Sequence, residues 1–401
     1  MCIRDRRQTH EWAWTSLKGN PVRVAPENDG HGLIMLYRAA WMRHHPEAIE
    51  RLWAASRDYA EWVCFLADNP IKPGQPADTL YTVSECSGFG GLDVHSHALC
   101  RAGLAALAQL ARQRGETALA ERWEGYVARL SRAMRRHLTT GMPPRWKSHP
   151  ASDWQSGAEA LTPLLSLPDW LGYDPAAVGD PEENRISRLT FDALASGGKW
   201  WLRQRMIGYD MALVTQAALL FDDERFGKLL DALCKGVYSA HGPDHWIVSE
   251  GANMHESERM WYRAGMGGNT VHFAETLKVV RLMAGVDDLT PGELKLMPRV
   301  PADWSGITVE GYPLAGGADG QPRELAYDFR RGDNTATLTL TAPAGLRLSA
   351  RLGPFHAGAP LRATVNGKSA AAETVLIGGR AWLRLRNLPG GKTHLEVTEK
   401  S

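Results

Sequence analysis

The sequence predicts a mainly α region of paired helices followed by a C-terminal antiparallel β-sandwich. Two observations predict this fold class. Up to about residue 290, apolar residues recur with helical spacing, whereas beyond it apolar and polar residues alternate with the period of two that is typical of strands. The length of 401 residues suits two or three domains. We therefore expect a helical domain over residues 1–290 and a β-sandwich domain over residues 291–401.

The helical region contains nine segments with the apolar spacing of helices. Pro46 suits the first turn of one helix, and Gly115 and Gly285 are stop signals for two others. In chain order the segments are residues 32–44, 46–67, 94–114, 116–138, 156–167, 181–194, 211–220, 224–237 and 269–284. Their similar lengths, with alternately short and long connectors, are typical of stacked helical hairpins.

Three connectors between these helices are long and contain Gly and Trp. They are residues 68–91, 139–155 and 241–266. Long, ordered loops on a helical scaffold usually carry function, because the scaffold holds them in place while their side chains face solvent. We expect the functional residues in these three loops.

The C-terminal region contains eight short alternating segments. Turn signals such as Gly332-Asp333-Asn334 and Asn366-Gly367 separate them. The segments are residues 307–310, 325–329, 335–340, 346–350, 361–365, 374–377, 381–385 and 393–397. Short strands with one polar face predict a β-sandwich. No cluster of candidate catalytic residues lies within it.

Composition excludes several function classes. Lys and Arg number 46 and Asp and Glu 45, so the chain lacks the basic surplus of a dedicated nucleic-acid or anionic-membrane binder. No apolar run has the roughly 18 residues of a membrane span. Trp (15) outnumbers both Tyr (10) and Phe (8). Broad amphipathic rings suit stacking on sugars, although Trp also fills cores between helices.

Cysteine usage and the known nucleotide and hydrolase motifs point to neither a metal nor a cofactor. The five cysteines are odd in number and lack metal-ligand spacing, so we interpret them as reduced thiols. No dinucleotide, P-loop or serine-hydrolase motif stands in the right context. His95 and His97 have a spacing that suits a strand, but a helix is predicted there, where such side chains diverge. We therefore expect no metal site.

The chain start resembles the scar of a broken gene start. Residues 1–6 read Met-Cys-Ile-Arg-Asp-Arg, with no hydrophobic stretch behind them. This pattern predicts that the natural N-terminus, with any export signal, lies further upstream. Compartment and oligomeric state stay open at this point.

Three stretches of the helical region carry a family resemblance. The first is residues 83–91, Val-Ser-Glu-Cys-Ser-Gly-Phe-Gly-Gly, with the helix that follows; the second is residues 247–251, Ile-Val-Ser-Glu-Gly; the third is residues 269–301. Together they resemble the six-hairpin, (α/α)6-barrel glycosidases, which include the glucoamylases and the α-L-rhamnosidases. The resemblance implies an (α/α)6 toroid ahead of the β-sandwich. A complete toroid has twelve helices, so we expect it to be incomplete at the N-terminus.

The resemblance also implies two catalytic carboxylates. Glycosidases protonate the leaving oxygen with one carboxyl group and activate water with the other. Glu85 matches the general acid in the loop before a helix, and Glu250 matches the general base in a late loop. The glucoamylase likeness implies inversion of the anomeric centre. The tryptophan that flanks the acid in glucoamylases is absent, and Ser84 and Cys86 flank Glu85 instead.

Each carboxylate also has a structural interpretation. Glu85 could cap a helix, Glu250 could be a solvated loop acid, and Glu256 could replace Glu250 as the base. Asp93 is a second candidate acid, or the N-cap of the helix that begins at Val94. The residues predicted to line the sugar pocket are Asp29, His31, Asp93, Trp154, Tyr209, Asp210, Trp246, Glu256 and Trp261.

Three functions remain open from the sequence. The first is a glycoside hydrolase that cleaves an oligosaccharide or polysaccharide with the paired carboxylates. The second is a polysaccharide lyase on the same scaffold, with Tyr209, Tyr262, His95 or His255 as the base. The third is a non-catalytic carbohydrate-binding protein. In each case the predicted partner is a carbohydrate, and neither a nucleic acid nor a membrane is expected.

Overall fold

The computed structural model describes most of the chain. The described residues are 14–15, 21–22, 28–71, 73–83, 90–147, 157–175, 179–196, 206–237, 249–255, 260–267, 270–314 and 323–399. The chain divides into two compact units. The first comprises residues 1–168 and 180–190, and the second comprises residues 169–179 and 191–401. The change from helices to strands near residue 290 stays a prediction as a domain boundary.

The described α-helices follow the predicted segments closely. They are α1 (Asn28–His44), α2 (Ile49–Asp68), α3 (Val94–Gln113), α4 (Thr117–His137), α5 (Thr162–Leu165), α6 (Pro181–Ser196), α7 (Gly208–Leu220), α8 (Phe226–Val237) and α9 (Thr270–Ala284). The main difference is at residues 156–167, where a 3-10 turn, Ala158–Leu161, precedes the one-turn α5. Pro163 causes this break, since it has no N–H for the carbonyl of Glu159 four residues earlier.

Within the first unit, α1 and α3 pack tightly and run parallel. The Sγ atom of Cys100 donates to the carbonyl oxygen of Asn28 at 3.0 Å, at the start of α1. A Cβ on Gly32 would lie 2.3 Å from the backbone of Leu99. Further along both helices, a Cβ on Gly103 would lie 2.7 Å from the Cβ of Met35, and Nη2 of Arg43 donates to Oε1 of Gln109 at 3.2 Å. Contacts that advance together along both helices mean a parallel pair, and the two glycines permit the close approach.

The parallel packing of α1 and α3 determines at which end of the unit the segments that lead into them lie. The helices α2 and α4 return antiparallel after short links, so α1–α2 and α3–α4 are two helical hairpins. Their core includes Met35, Trp53, Leu104 and Trp123, which are all buried. Because α1 and α3 are parallel, the segments that precede them reach the same end of the unit.

The second unit contains two large sheets. One has the strand order β10-β11-β15-β19-β18 and the other β12-β13-β14-β20-β16-β17. The strands are β10 (Val286–Asp287), β11 (Glu293–Leu296), β12 (Gly306–Leu314), β13 (Arg323–Arg331), β14 (Thr335–Ala342), β15 (Arg347–Phe355), β16 (Leu361–Val365), β17 (Lys368–Ser369), β18 (Glu373–Ile377), β19 (Arg380–Leu388) and β20 (Gly391–Glu399). All eight predicted strands are present, and residues such as Leu338, Leu352 and Leu395 share one buried core.

Two features of this unit depend on distant contacts. The strands β11 and β15 pair in parallel, with Leu294 opposite Leu348, whereas the other described pairs of the two sheets are antiparallel. The turn between α9 and β10 requires Gly285, because its φ is +62° and a Cβ there would lie 2.0 Å from the carbonyl oxygen of Met297.

The sequence prediction of a loop over residues 241–266 was wrong for its described part. Residues Ser249–His255 (β8) and Met260–Gly267 (β9) form an antiparallel pair, which Met206–Ile207 (β7) extends to three strands. The alternation rule missed these strands because Gly251, Gly265 and Gly267 interrupt their apolar pattern. Glu250 and Trp261 therefore lie on strands and not in a loop.

Candidate functional site

The predicted site residues differ in what the structure describes of them. Glu85, Trp154, Trp246 and Glu256 lie outside the described residues. Backbone positions are described for Asp29 on α1, Tyr209 on α7, Glu250 on β8 and Trp261 on β9. Side chains are described for His31, Asp93 and Asp210, which are all buried. Among the described tryptophans, Trp53, Trp123, Trp146 and Trp382 are buried and pack in cores, whereas Trp41 and Trp304 are exposed.

In the second unit, two predicted residues lie on one small sheet and two lie on the helix that directly follows its first strand. Ile207 on β7 pairs with Gly251 on β8, so the start of α7, with Tyr209 and Asp210, lies beside the strand that carries Glu250. Trp261 on β9 pairs with Met254 on the same strand. The sequence placed Glu250 and Trp261 in one connector and Tyr209 and Asp210 in another. The pairing of β7 with β8 brings the backbones of Tyr209 and Asp210 close to Glu250, whereas Trp261 pairs four residues further along β8.

In the first unit, two short paired strands lie just before α3, and the segment that contains Glu85 connects them in sequence. Thr82 and Val83 (β3) pair with Gly91 and Gly90 (β4). Asp93 then caps α3, because its Oδ1 accepts a hydrogen bond from the backbone N–H of Ser96 at 2.7 Å. The N-cap interpretation of Asp93 is therefore confirmed. A role for Asp93 in sugar binding stays a prediction.

The buried ring of His97 links a residue shortly before β3 to the start of α3. Its Nδ1 donates to the carbonyl oxygen of Asp93 at 2.6 Å, and its Nε2 accepts from the backbone N–H of Leu80 at 2.8 Å. Both bonds together require a neutral ring with the proton on Nδ1. Burial lowers the pKa of His97 to about 4, and the nearby Arg101 guanidinium acts in the same direction.

We expect His97 to make the protein sensitive to acid. In the unfolded chain its pKa returns to its usual 6.5, so folding is favoured above that pH and loses stability as the pH falls from 6.5 through 4. The full effect is on the order of 3 kcal/mol. Urea unfolding of the wild type and of His97→Gln at several pH values measures it. The variant, which keeps an acceptor for Leu80 but cannot titrate, should show the flatter pH dependence, and equal slopes would contradict the assignment.

His95, two residues earlier on α3, contacts a different element. Its Nδ1 lies 2.7 Å from the Oγ1 of Thr162, at the start of α5. The same hydroxyl lies 2.6 Å from the carbonyl oxygen of Glu159. His95 and His97 thus contact different elements, and their side chains do not form a metal-binding cluster with each other. Among the described residues no group of three or more His, Cys, Asp or Glu side chains could hold a metal ion.

Comparison with known proteins gives structural but not sequence matches. No protein-family model matches the chain, and no curated protein sequence does. An α-L-rhamnosidase from Dictyoglumus thermophilum is similar over 88% of this chain and 37% of its own, with 12% identity and a TM-score of 0.53. A GH78-family rhamnosidase of Bacillus sp. GL1 is similar over 82% of this chain and 34% of its own, with 13% identity and a TM-score of 0.51.

The chain has the six-hairpin glycosidase fold. The predicted class, an (α/α)6-type helical region followed by an antiparallel β-sandwich, is confirmed. The chain spans about a third of the length of the two rhamnosidases. Within the described residues no helix is both long and apolar enough to cross a membrane.

Sequence reasoning missed tertiary contacts of two histidines that it had singled out. The hydrogen bonds of His95 to Thr162 and of His97 to Leu80 were not foreseen, although both histidines were noticed. The available signal was their position on the first turn of α3, directly after a long connector.

Proposed function

We propose that this chain is the catalytic part of a glycoside hydrolase that cleaves a glycosidic bond in an oligosaccharide or polysaccharide. The observation that carries the proposal is the fold similarity to an α-L-rhamnosidase over 88% of the chain. The fold hosts sites in connector loops, and the chain places its chemistry-bearing residues beside such connectors. Fold similarity alone does not assign chemistry, so the residues must support it as well.

The residues support paired-carboxylate hydrolysis in two parts. The segment that contains Glu85 connects the paired strands β3 and β4. The hydrogen bonds of Asp93 and His97 stabilise the start of α3 directly after this pair. In the second unit, Glu250 lies on the strand beside the start of α7. We propose Glu85 as the general acid, Glu250 as the general base, and inversion of the anomeric centre. An inverting pair needs room for a water molecule between the base and the sugar.

Aryl glycoside assays test the proposed function. A panel that begins with p-nitrophenyl α-L-rhamnoside and extends to other hexosides and pentosides should contain at least one substrate that releases nitrophenol. Proton NMR of the first product formed then reads its anomeric configuration, and we expect it to be opposite to that of the substrate. Inactivity on the whole panel, combined with an unsaturated, ultraviolet-absorbing product from uronate polysaccharides, would replace hydrolysis by lyase chemistry.

A further inference from the structure

The helix α1 exposes apolar side chains where a surface helix normally exposes polar ones. Among its described side chains three are exposed, Leu33, Tyr37 and Trp41, with 48%, 67% and 40% of their surface open. The exposed positions of α4, by contrast, include the charged residues Glu121 and Glu124. A contiguous apolar patch in place of the usual polar face indicates a surface that another molecule covers. We call Leu33, Tyr37 and Trp41 the α1 stripe.

The α1 stripe forms one continuous ridge. Its residues are four positions apart, which places successive side chains next to each other along one face of the helix. The rings of Tyr37 and Trp41 lie at 23° to each other with centroids 6.3 Å apart, and Trp41 stacks on the ring of His45 at 4.0 Å. The aromatic side chains are thus held in place by one another. Because Trp41 stacks on His45, less of its ring face is left for a sugar ring, so the ridge suits a protein partner better.

The described arginines of α1 contact other helices and leave the stripe uncharged. The guanidinium of Arg38 lies 5.0 Å from the ring centroid of Tyr59 on α2. Nη2 of Arg43 donates to Oε1 of Gln109 on α3 at 3.2 Å. A partner with a charged face would lose its hydration at the stripe and gain no ion pair. The matching partner is therefore an uncharged, apolar helix face.

A second copy of the stripe has these properties. Ridges of residues spaced by four pack into each other at a crossing angle of about −50°, the commonest geometry of helix pairs in globular proteins. With the two helices running in opposite directions, a two-fold axis beside Tyr37 brings Leu33 of each copy against Trp41 of the other. A small side chain then faces a large one on both sides of the axis. The stripe is thus complementary to itself, as the surface of a two-fold dimer must be.

We propose that two copies of this chain associate through the α1 stripe, with Tyr37 at the two-fold axis. The contact involves mainly one helix from each copy, so it is at the small end of specific interfaces. The dimer should form reversibly, with a dissociation constant on the order of micromolar. The proposal is independent of the proposed function, since no residue of the stripe is a candidate for catalysis or sugar binding.

Sedimentation velocity measures the association, over a roughly hundredfold range of protein concentration that brackets the micromolar. We expect the mass of one chain at the low end of the range and that of two chains at the high end. Tyr37→Lys places two ammonium groups opposite each other at the axis and should weaken the association more than about tenfold. Tyr37→Phe keeps the apolar ring and should associate like the wild type.

Trp304→Lys is the matched control for a charge introduced at an exposed ring. Trp304 lies in the second unit, with 45% of its surface exposed, and is not part of the stripe. This variant should associate like the wild type. Thermal melting of each variant shows whether a loss of association is a loss of folded protein. Tyr37→Lys should melt like the wild type, because the ring it removes is mostly exposed.

A cysteine at each of two positions tests the two-fold axis and does not depend on the lysine variant. In Tyr37→Cys the two introduced thiols meet across the axis, where the close approach of the helices permits a disulfide. Mild oxidation with copper phenanthroline should link two chains, as electrophoresis without reductant shows. In Leu33→Cys each thiol faces Trp41 of the other copy, so no additional link should form. The wild type, oxidised in the same way, accounts for the native cysteines.

Several results would overturn the dimer. One is the mass of a single chain at every concentration, and another is an association that Tyr37→Lys leaves intact or that Trp304→Lys also abolishes. Assemblies that grow beyond two chains would indicate a heterologous contact in place of the two-fold one. Equal cross-linking of Leu33→Cys and Tyr37→Cys would remove Tyr37 from the axis.

Discussion

Replacing Glu85 by Gln is expected to lower the rate of hydrolysis of an ordinary glycoside by about 10²- to 10⁴-fold, because the amide cannot protonate the leaving oxygen. The loss should be small on dinitrophenyl glycosides, whose leaving group needs no proton. Glu250→Gln should be equally damaging on both kinds of substrate, since the activated water is needed whatever the leaving group. Initial rates on the two substrate types measure both effects.

Glu258→Gln is the matched control for these two variants. Glu258 lies between β8 and β9 in sequence, close to Glu250, and has no predicted role. This control should keep its activity, and all three variants should melt like the wild type. Full activity in both Glu85→Gln and Glu250→Gln would remove the catalytic pair. A loss in Glu85→Gln that is equal on both substrate types would assign Glu85 a role other than that of the acid.

Replacing Arg101 by Met is expected to destabilise the protein by roughly 3–5 kcal/mol, the usual effect of breaking a buried ion pair. The Nη1 of Arg101 on α3 lies 2.5 Å from Oε2 of Glu183 on α6, and their side chains are only 9% and 7% exposed. Without Arg101, the buried carboxylate keeps the ion pair with Arg135, at 3.3 Å. Urea unfolding followed by circular dichroism measures the loss of free energy.

Two further variants make this result specific to the buried pair. Arg112→Met on the same helix removes a partner of Glu124, but both of these side chains are about half exposed, so stability should hardly change. The double variant Arg101→Met, Glu183→Met removes both buried charges and should recover much of the stability that Arg101→Met loses. A double variant that is no more stable than the single one would show that volume and not charge sets the effect.

The helices and the sandwich strands were predictable because their signals are local. The segment predicted from residues 94–114 is Val94–Gln113, and the strand predicted over residues 335–340 is Thr335–Ala342. An amphipathic stripe or an alternating run reports burial on one face, which the chain expresses within a few residues. Helix caps are also local, since the Asp93 side chain accepts from the N–H of Ser96, three residues later.

The candidate site was predictable only in part, because its neighbours meet through the fold. Glu250 was placed in a loop, since the sequence of β8, Ser-Glu-Gly-Ala-Asn-Met-His, has no clear alternation of apolar and polar residues. The pairing of Ile207 with Gly251, which brings Tyr209 and Asp210 beside it, joins segments that are far apart in sequence. The bonds of His97 to Leu80 and of His95 to Thr162 are likewise tertiary.

The sequence by itself determined the order of the described α-helices, the eight predicted strands of the sandwich and the N-cap Asp93. The tertiary structure alone decided the parallel approach of α1 and α3 through Gly32 and Gly103, and the parallel pairing of β11 with β15. It also decided that Nδ1 of His97 holds the ring proton. The physical reason is range: periodicity and capping act within a few residues, whereas close packing and hydrogen-bond direction depend on partners that only the folded chain brings within reach.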